Sequence, residues 1–274
     1  MRGRKKTEMI EPMSHSSSPQ RAPGSDGSGL VIVIPTFNER ETLPVVVERV
    51  WAALPAAHLL IVDDSSPDGT GEWADSLAQG DGRIHCLHRP SKSGLATAYV
   101  EGMGWALQRG YDFVAQMDAD GSHRPEDLPK LVARMGGPDR PDLVIGSRWV
   151  RGGRVNGWSR KRVLLSKAGN RYVRFCLGTP VRDATAGMRL HRASFLRDSG
   201  VLTEVSTTGF GFQVEMTQAE GARGARIVEA PITFDERMSG ESKLSGAIFV
   251  EELVMVTKGG LGRLAGAARR LVGR

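Results

Sequence analysis

The stretch Leu30-Val31-Ile32-Val33-Ile34-Pro35-Thr36-Phe37-Asn38-Glu39 decides the fold. An unbroken apolar, β-branched run closed by a proline reads as a strand buried on both faces, because a half-exposed strand would alternate apolar with polar residues. Residues 41–54 then carry apolar side chains at helical spacing. The unit repeats. Residues 59–62 form a short strand, 63–69 a polar turn and 70–77 a helix; 84–87 and 95–107 follow the same order. Residues 111–117 read as a further strand, after which Pro125 suits a first helical position and Glu126 and Asp127 complement the helix dipole. A fifth strand is expected at 143–145. This alternation predicts an α/β, Rossmann-like sandwich with a mostly parallel central sheet covered by helices, and ligands bound beyond the carboxyl ends of its strands. Past Gly146 the pattern loosens: 161–177 reads as a basic helix, 210–220 as a helix and 225–233 as extended chain.

Composition narrows the possibilities less than the pattern does. The 274 residues carry a formal net charge of +6, which suits an anionic surface, a phosphorylated substrate or nucleic acid. Cys86 and Cys176 lie far apart with no Cys or His at metal-ligand spacing, so neither a disulfide framework nor a zinc site is expected, and a cytoplasmic setting follows. The basic, then Ser/Pro/Gly-rich start lacks the apolar run of a signal peptide and reads as a disordered leader, residues 1–29. No stretch reaches the roughly 18 consecutive apolar residues of a membrane span.

The polar loops at the expected strand ends carry the chemistry. Asp118-Ala119-Asp120 follows the 111–117 strand, where two carboxylates can share a divalent ion with a diphosphate. Asp63-Asp64 follows the second strand and leads into Ser65-Ser66-Pro67-Asp68-Gly69, strong turn chemistry that also fits an Asx-turn or a helix cap. After the first strand, Phe37 offers a ring to a base and Glu39 a carboxylate to a hydroxyl. A nucleic-acid binder would line its groove with basic and aromatic residues, whereas these loops are acidic, so no nucleic-acid partner is expected.

In order and spacing the three loops resemble the family-2 inverting glycosyltransferases of GT-A fold. More narrowly, Asp118-Ala119-Asp120-Gly121-Ser122-His123-Arg124-Pro125, Gly146-Ser147-Arg148, Trp158-Ser159-Arg160 and Gly209-Phe210-Gly211-Phe212-Gln213-Val214-Glu215 resemble the polyprenyl- (dolichyl-) phosphate mannose synthases. The resemblance implies transfer of mannose from GDP-mannose to a polyprenyl phosphate. Pro35, Phe37, Glu39, Val62 and Asp64 would contact the nucleotide, with Ala119 touching the donor through its backbone. Asp118, Asp120 and Ser122 would take Mg²⁺ or Mn²⁺. Arg148, Arg237 and Lys243 match phosphate-binding positions, and Arg162 and Ser166, four apart on the basic helix, match acceptor-phosphate contacts. Asp118, Asp120, Arg237 and Lys243 form the expected catalytic set.

The chain departs from that pattern at Asp183-Ala184-Thr185-Ala186-Gly187-Met188-Arg189, where Ala186 and Met188 replace the commoner residues. The resemblance makes residues 30–246 the catalytic domain and 247–274 a basic amphipathic segment and tail that lies on the cytoplasmic face of a bilayer or docks to a separate membrane protein. Glucose transfer from UDP-glucose is the nearest rival, since carboxylate loops do not read the sugar. A non-catalytic basic phospholipid- or nucleic-acid-binding module leaves the acidic loops unexplained.

Overall fold

Seven strands assemble into the central sheet of the computed structural model, which describes residues 22–205, 211–237 and 256–257. In chain order the elements are β1 (Leu30–Thr36), α1 (Leu43–Ala53), β2 (His58–Asp63), α2 (Thr70–Gly80), β3 (Ile84–His88), α3 (Leu95–Gln108), β4 (Phe113–Gln116), α4 (Leu128–Met135), β5 (Leu143–Ser147), β6 (Arg154–Val155), α5 (Arg160–Leu177), β7 (Arg189–Arg192), α6 (Ala193–Ser199), α7 (Phe212–Ala222), β8 (Ile227–Pro231) and β9 (Thr233–Phe234). The sheet order is β3-β2-β1-β4-β7-β5-β8, while β6 and β9 pair separately. All sheet neighbours run parallel except β7, which is antiparallel to both β4 and β5.

The fully buried β1 run explains the two-sided core. Leu30, Ile32 and Ile34 join the α1 and α4 side, whereas Val31 and Val33 pack with α3 and α7. At Gly102 in α3 an added Cβ would lie 2.4 Å from Val33 Cγ1 and 3.1 Å from Val62 Cγ2, so only glycine lets the helix approach this closely. Tyr99, one turn earlier, is thereby brought over the sheet end.

Three expectations change. Pro125 does open a helical segment with Glu126 and Asp127 in its first turn, but that turn is 3₁₀ and leads into α4 at Leu128, and the buried Asp127 carboxylate accepts the Thr233 N–H at 2.6 Å. Residues 22–29, expected in the leader, are tied to the domain: the Asp26 carbonyl accepts from Ala56 N at 2.8 Å, and Gly27 packs against Leu54 and Ala57. Strand β7 had no apolar signature, since Arg189-Leu190-His191-Arg192 alternates charge with a single leucine, yet all four residues are buried. Of the expected 247–274 segment, the described residues are Val256, which joins the cluster around Val173, and Thr257, whose hydroxyl is 2.8 Å from Tyr172 Oη. Among the described residues no helix is long and apolar enough to cross a membrane.

Candidate active site

Because β1 lies between β2 and β4 and all three run parallel, their carboxyl ends share one rim. The loops at 36–39, 63–69 and 117–123 therefore meet there. Strand β7 runs the other way, so its leading loop, 183–188, arrives at the same rim from the opposite side. A Cβ on Gly187 would sit 3.1 Å from His123 Cε1 and 3.5 Å from Asp118 Oδ2, which leaves room there only for glycine or a slight retreat of the ring.

Asp118 is held from two directions. Tyr99 Oη donates to its Oδ1 at 2.7 Å, and its backbone N–H donates to His123 Nδ1 at 3.1 Å. A neutral His123 ring must then carry its proton on Nε2. Burial, and next the Asp118 charge, push the Tyr99 phenol well above its ordinary range, so it stays a donor at any working pH. Asp118 Oδ2 lies 3.7 Å from His123 Nδ1, which as an acceptor of the backbone N–H offers it no proton. Asp120 Oδ1 accepts the Ser122 N–H at 3.0 Å and its hydroxyl at 2.6 Å, and Arg237 Nε reaches Oδ2 at 2.8 Å. Ser122, 1% exposed, thus orients Asp120 within this rim.

This donor set fits a hard divalent cation. It consists of carboxylate oxygens at a strand end, one of them outside the hydrogen bonds just described, and a guanidinium already fills the cationic position against Asp120.

The second acidic pair differs. Asp63 accepts from Thr36 Oγ1 (2.9 Å), Ser66 N (2.9 Å) and Ser66 Oγ (2.6 Å), and is buried. Asp64 forms a buried pair with Arg89, whose guanidinium also reaches Thr97 Oγ1 at 2.7 Å and Glu101 at 3.1 Å. Burial pushes the Asp64 carboxyl up, and Arg89 opposes the shift. Phe37 carries the Lys92 ammonium 3.8 Å over its ring. Glu39 Oε2 accepts from Thr42 Oγ1 at 2.8 Å, and Pro35 is half-buried. Val62 and Ala119 have buried side chains, which restricts any ligand contact to their main chain.

Arg148 sits differently from a free phosphate clamp. Its N–H, Nε and Nη2 all donate to Asp183, at 2.8, 2.8 and 2.6 Å, and Nη2 also to Thr185 Oγ1 at 2.8 Å, inside an enclosure of Trp149, Trp158 and Phe234. Arg189, fully buried, donates to the carbonyls of Ala184 (2.8 Å) and Ala186 (2.9 Å) and to Thr217 Oγ1 (2.9 Å). Burial draws its pKa down to about 10, still charged at neutrality. Together these two arginines pin the 183–187 loop. Sequence reasoning missed Arg189 and Asp183, whose signal was a charged residue on each side of an apolar loop. Tyr99 carried none beyond its place on a helix.

Arg162 stacks 4.0 Å over Trp158 and pairs with Glu236 at 3.4 Å, next to Arg237. Burial lowers its pKa, Glu236 opposes, and the charges of Arg237 and Arg148 add to the lowering. Ser166, one turn on, is half-buried, and Asn170 Nδ2 links its carbonyl (3.1 Å) to Thr185 Oγ1 (3.1 Å). Arg162 and Ser166 thus flank the pinned loop. Lys243 lies outside the described residues.

A mostly parallel sheet with an Asp-x-Asp pair on its carboxyl rim, faced by arginines, is the architecture of a nucleotide-sugar glycosyltransferase. The chain belongs to glycosyl transferase family 2, whose family model matches residues 31–200. It is 49% identical over 232 residues to an undecaprenyl-phosphate mannosyltransferase of Micrococcus luteus, covering 85% of this chain and 94% of that protein. A polyprenol monophosphomannose synthase of Mycolicibacterium smegmatis is 47% identical over 236 residues, covering 85% and 88%. Solved structures share the fold: glucosyl-3-phosphoglycerate synthase of Mycobacterium tuberculosis with Mn²⁺, UDP and phosphoglyceric acid (TM-score 0.56, 18% identity, 86% of this chain and 77% of that one). A mannosyltransferase of Pyrobaculum calidifontis with GDP-Man and Mn²⁺ matches with a TM-score of 0.52 and 14% identity over 92% of this chain and 79% of that one.

Proposed function

We propose that this protein transfers mannose from GDP-mannose to a polyprenyl monophosphate, inverting the anomeric centre to give a β-linked polyprenyl phosphate mannose. The observation that carries the reading is near-half identity, over 85% of the chain, to two enzymes named for mannosyl transfer to polyprenyl acceptors. Pro35, Phe37, Glu39 and Asp64, with the main chain at Val62 and Ala119, lie on the side of the rim assigned to the nucleotide.

Asp118 and Asp120 would hold Mg²⁺ or Mn²⁺, with Ser122 as the further metal contact that the resemblance gives, its hydroxyl donating to Asp120 in the metal-free protein, and with Tyr99 orienting Asp118. When bound, the ion supplies positive charge against the departing diphosphate. Arg237 and Lys243 are assigned to the same charge. Arg162 and Ser166 are assigned to the acceptor phosphate, and Arg148 supports the loop they flank. A phosphate monoester carries about −1.5 to −2 charge at neutral pH, so its oxygen attacks without a general base. Sugar hydroxyl acceptors lack that advantage and require a carboxylate to take the proton.

A lipid acceptor supports a peripheral position at a membrane, and the reading puts the enzyme at its cytoplasmic face. Leu164, Leu165 and Phe175 project from α5 beside Arg160, Lys161, Lys167, Arg171 and Arg174, a mixture suited to an anionic bilayer surface. Flotation with anionic liposomes is expected to weaken on removal of residues 247–274 if that segment contributes. Unchanged flotation assigns lipid docking to the body alone and removes the tail from the mechanism.

The decisive assay combines purified protein, GDP-mannose, Mg²⁺ and a short prenyl phosphate, followed by mass and anomeric analysis of the lipid. A β-mannosyl phosphate is expected. Turnover of UDP-glucose without GDP-mannose, or an α-linked product, overturns the reading.

A further inference from the structure

Strand β3, at one edge of the sheet, ends in Cys86-Leu87-His88. Side chains alternate along a strand, so Cys86 and His88 project to the same face. Helix α2 packs across that face and delivers Asp75. A sulfur, an imidazole nitrogen and a carboxylate oxygen from the three residues all lie within 4.8 Å of one another. His88 Nε2 is 3.0 and 2.9 Å from the two Asp75 oxygens. The close approach rests on Gly71, where an added Cβ would lie 3.0 Å from His88 Cε1 and 2.9 Å from Asp63 Oδ2.

We propose that Asp75, Cys86 and His88 form a second divalent-metal site, of zinc type, separate from Asp118 and Asp120. The chemistry separates the two. A thiolate and an imidazole favour Zn²⁺ or Co²⁺, whereas a rim of carboxylate oxygens favours Mg²⁺ or Mn²⁺. Three protein ligands with Asp75 and His88 each about half exposed (49% and 51%) leave a fourth, tetrahedral position for water. Binding releases the Cys86 thiol proton to solvent as sulfur becomes the ligand. Half-buried Cys86 sits beside Asp75 and Asp63, so it is a neutral thiol in the metal-free protein, pushed up to about 12 by desolvation and then by those carboxylates. The consequence reaches the rim through the chain. His88 is followed directly by Arg89, the partner of Asp64, and pairs in register with Asp63, so an ion here tightens the edge strand that presents Arg89.

The test is a Co²⁺ titration of the full-length, reduced, chelator-stripped protein. A thiolate-to-cobalt charge-transfer band saturating at one equivalent is expected, with Zn²⁺ erasing it and raising the melting temperature. The band should persist in Cys176→Ser and in Asp118→Asn, and be lost in Cys86→Ser. Asp75→Asn and His88→Gln keep the thiol and should each shift saturation to higher cobalt, which keeps the test alive if Cys86→Ser does not fold. No band in the wild-type protein, a band surviving Cys86→Ser, or unshifted titrations in both ligand variants would overturn the proposal. Mannosyl transfer plays no part in the readout, so its failure and this one are separable.

Discussion

Asp63 and Asp118 stand near the ends of β2 and β4, the two parallel neighbours of β1, and in sequence they look alike: an acidic residue closing an apolar run. The fold treats them in opposite ways. Asp63 spends both oxygens on donors of its own chain, Thr36 and Ser66, and seals the loops of β1 and β2 together. Asp118 receives Tyr99 on one oxygen and turns the other toward His123 and Gly187, with its side chain 27% exposed. A carboxylate whose acceptor capacity is filled from within is a brace. One left part-open beside a second carboxylate and an arginine is available for chemistry.

The widest separation between the two should come from Asp118→Asn or Asp120→Asn. Turnover is expected to fall about 10²–10³-fold, the scale for removing one preorganised electrostatic group, with little change in the melting temperature. Initial rates with GDP-mannose and Mg²⁺, set beside a thermal melt, read both quantities. Asp63→Ala should do the reverse, costing about 1–3 kcal/mol for each buried donor left unsatisfied, while the folded fraction keeps its turnover. Denaturant titration gives the first number, and activity normalised to folded protein gives the second. If the Asp63 variant loses turnover per folded molecule as Asp118→Asn does, the contrast fails.

A finer probe is Tyr99→Phe, which removes one hydrogen bond from Asp118 and little volume. It should raise the Mn²⁺ concentration for half-maximal turnover by about tenfold, as expected for a residue orienting a ligand, while saturating turnover changes little. A shift in saturating turnover without any change in the metal requirement would falsify this role.

The first half of the chain reads easily because its signals are local. Runs such as Leu30 to Ile34 bury themselves whatever follows, and the turn residues after them place the loops at strand ends. The second half hides its design. Arg189 and His191 line a central strand, tolerable only because the carbonyls of Ala184 and Ala186 in the loop just before it, and Thr217 and Glu220 from the sequence-distant helix α7, satisfy them. Arg148 resembled a phosphate clamp from its motif, yet Asp183 takes its guanidinium; no spacing rule pairs two residues from separate loops. The cluster of Asp75 with Cys86 and His88 escaped for the same reason, one donor coming from a helix and two from a strand.

Local order of residues was enough for the parallel α/β framework, the acidic rim and the position of Asp118-Ala119-Asp120, because periodicity and turn chemistry act over a few residues. The antiparallel entry of β7, the pinning of the 183–187 loop and the division of the aspartates into braces and open ligands needed the assembled fold. Hydrogen bonding of a buried charge is a three-dimensional condition, met by whichever groups the packed chain brings within reach.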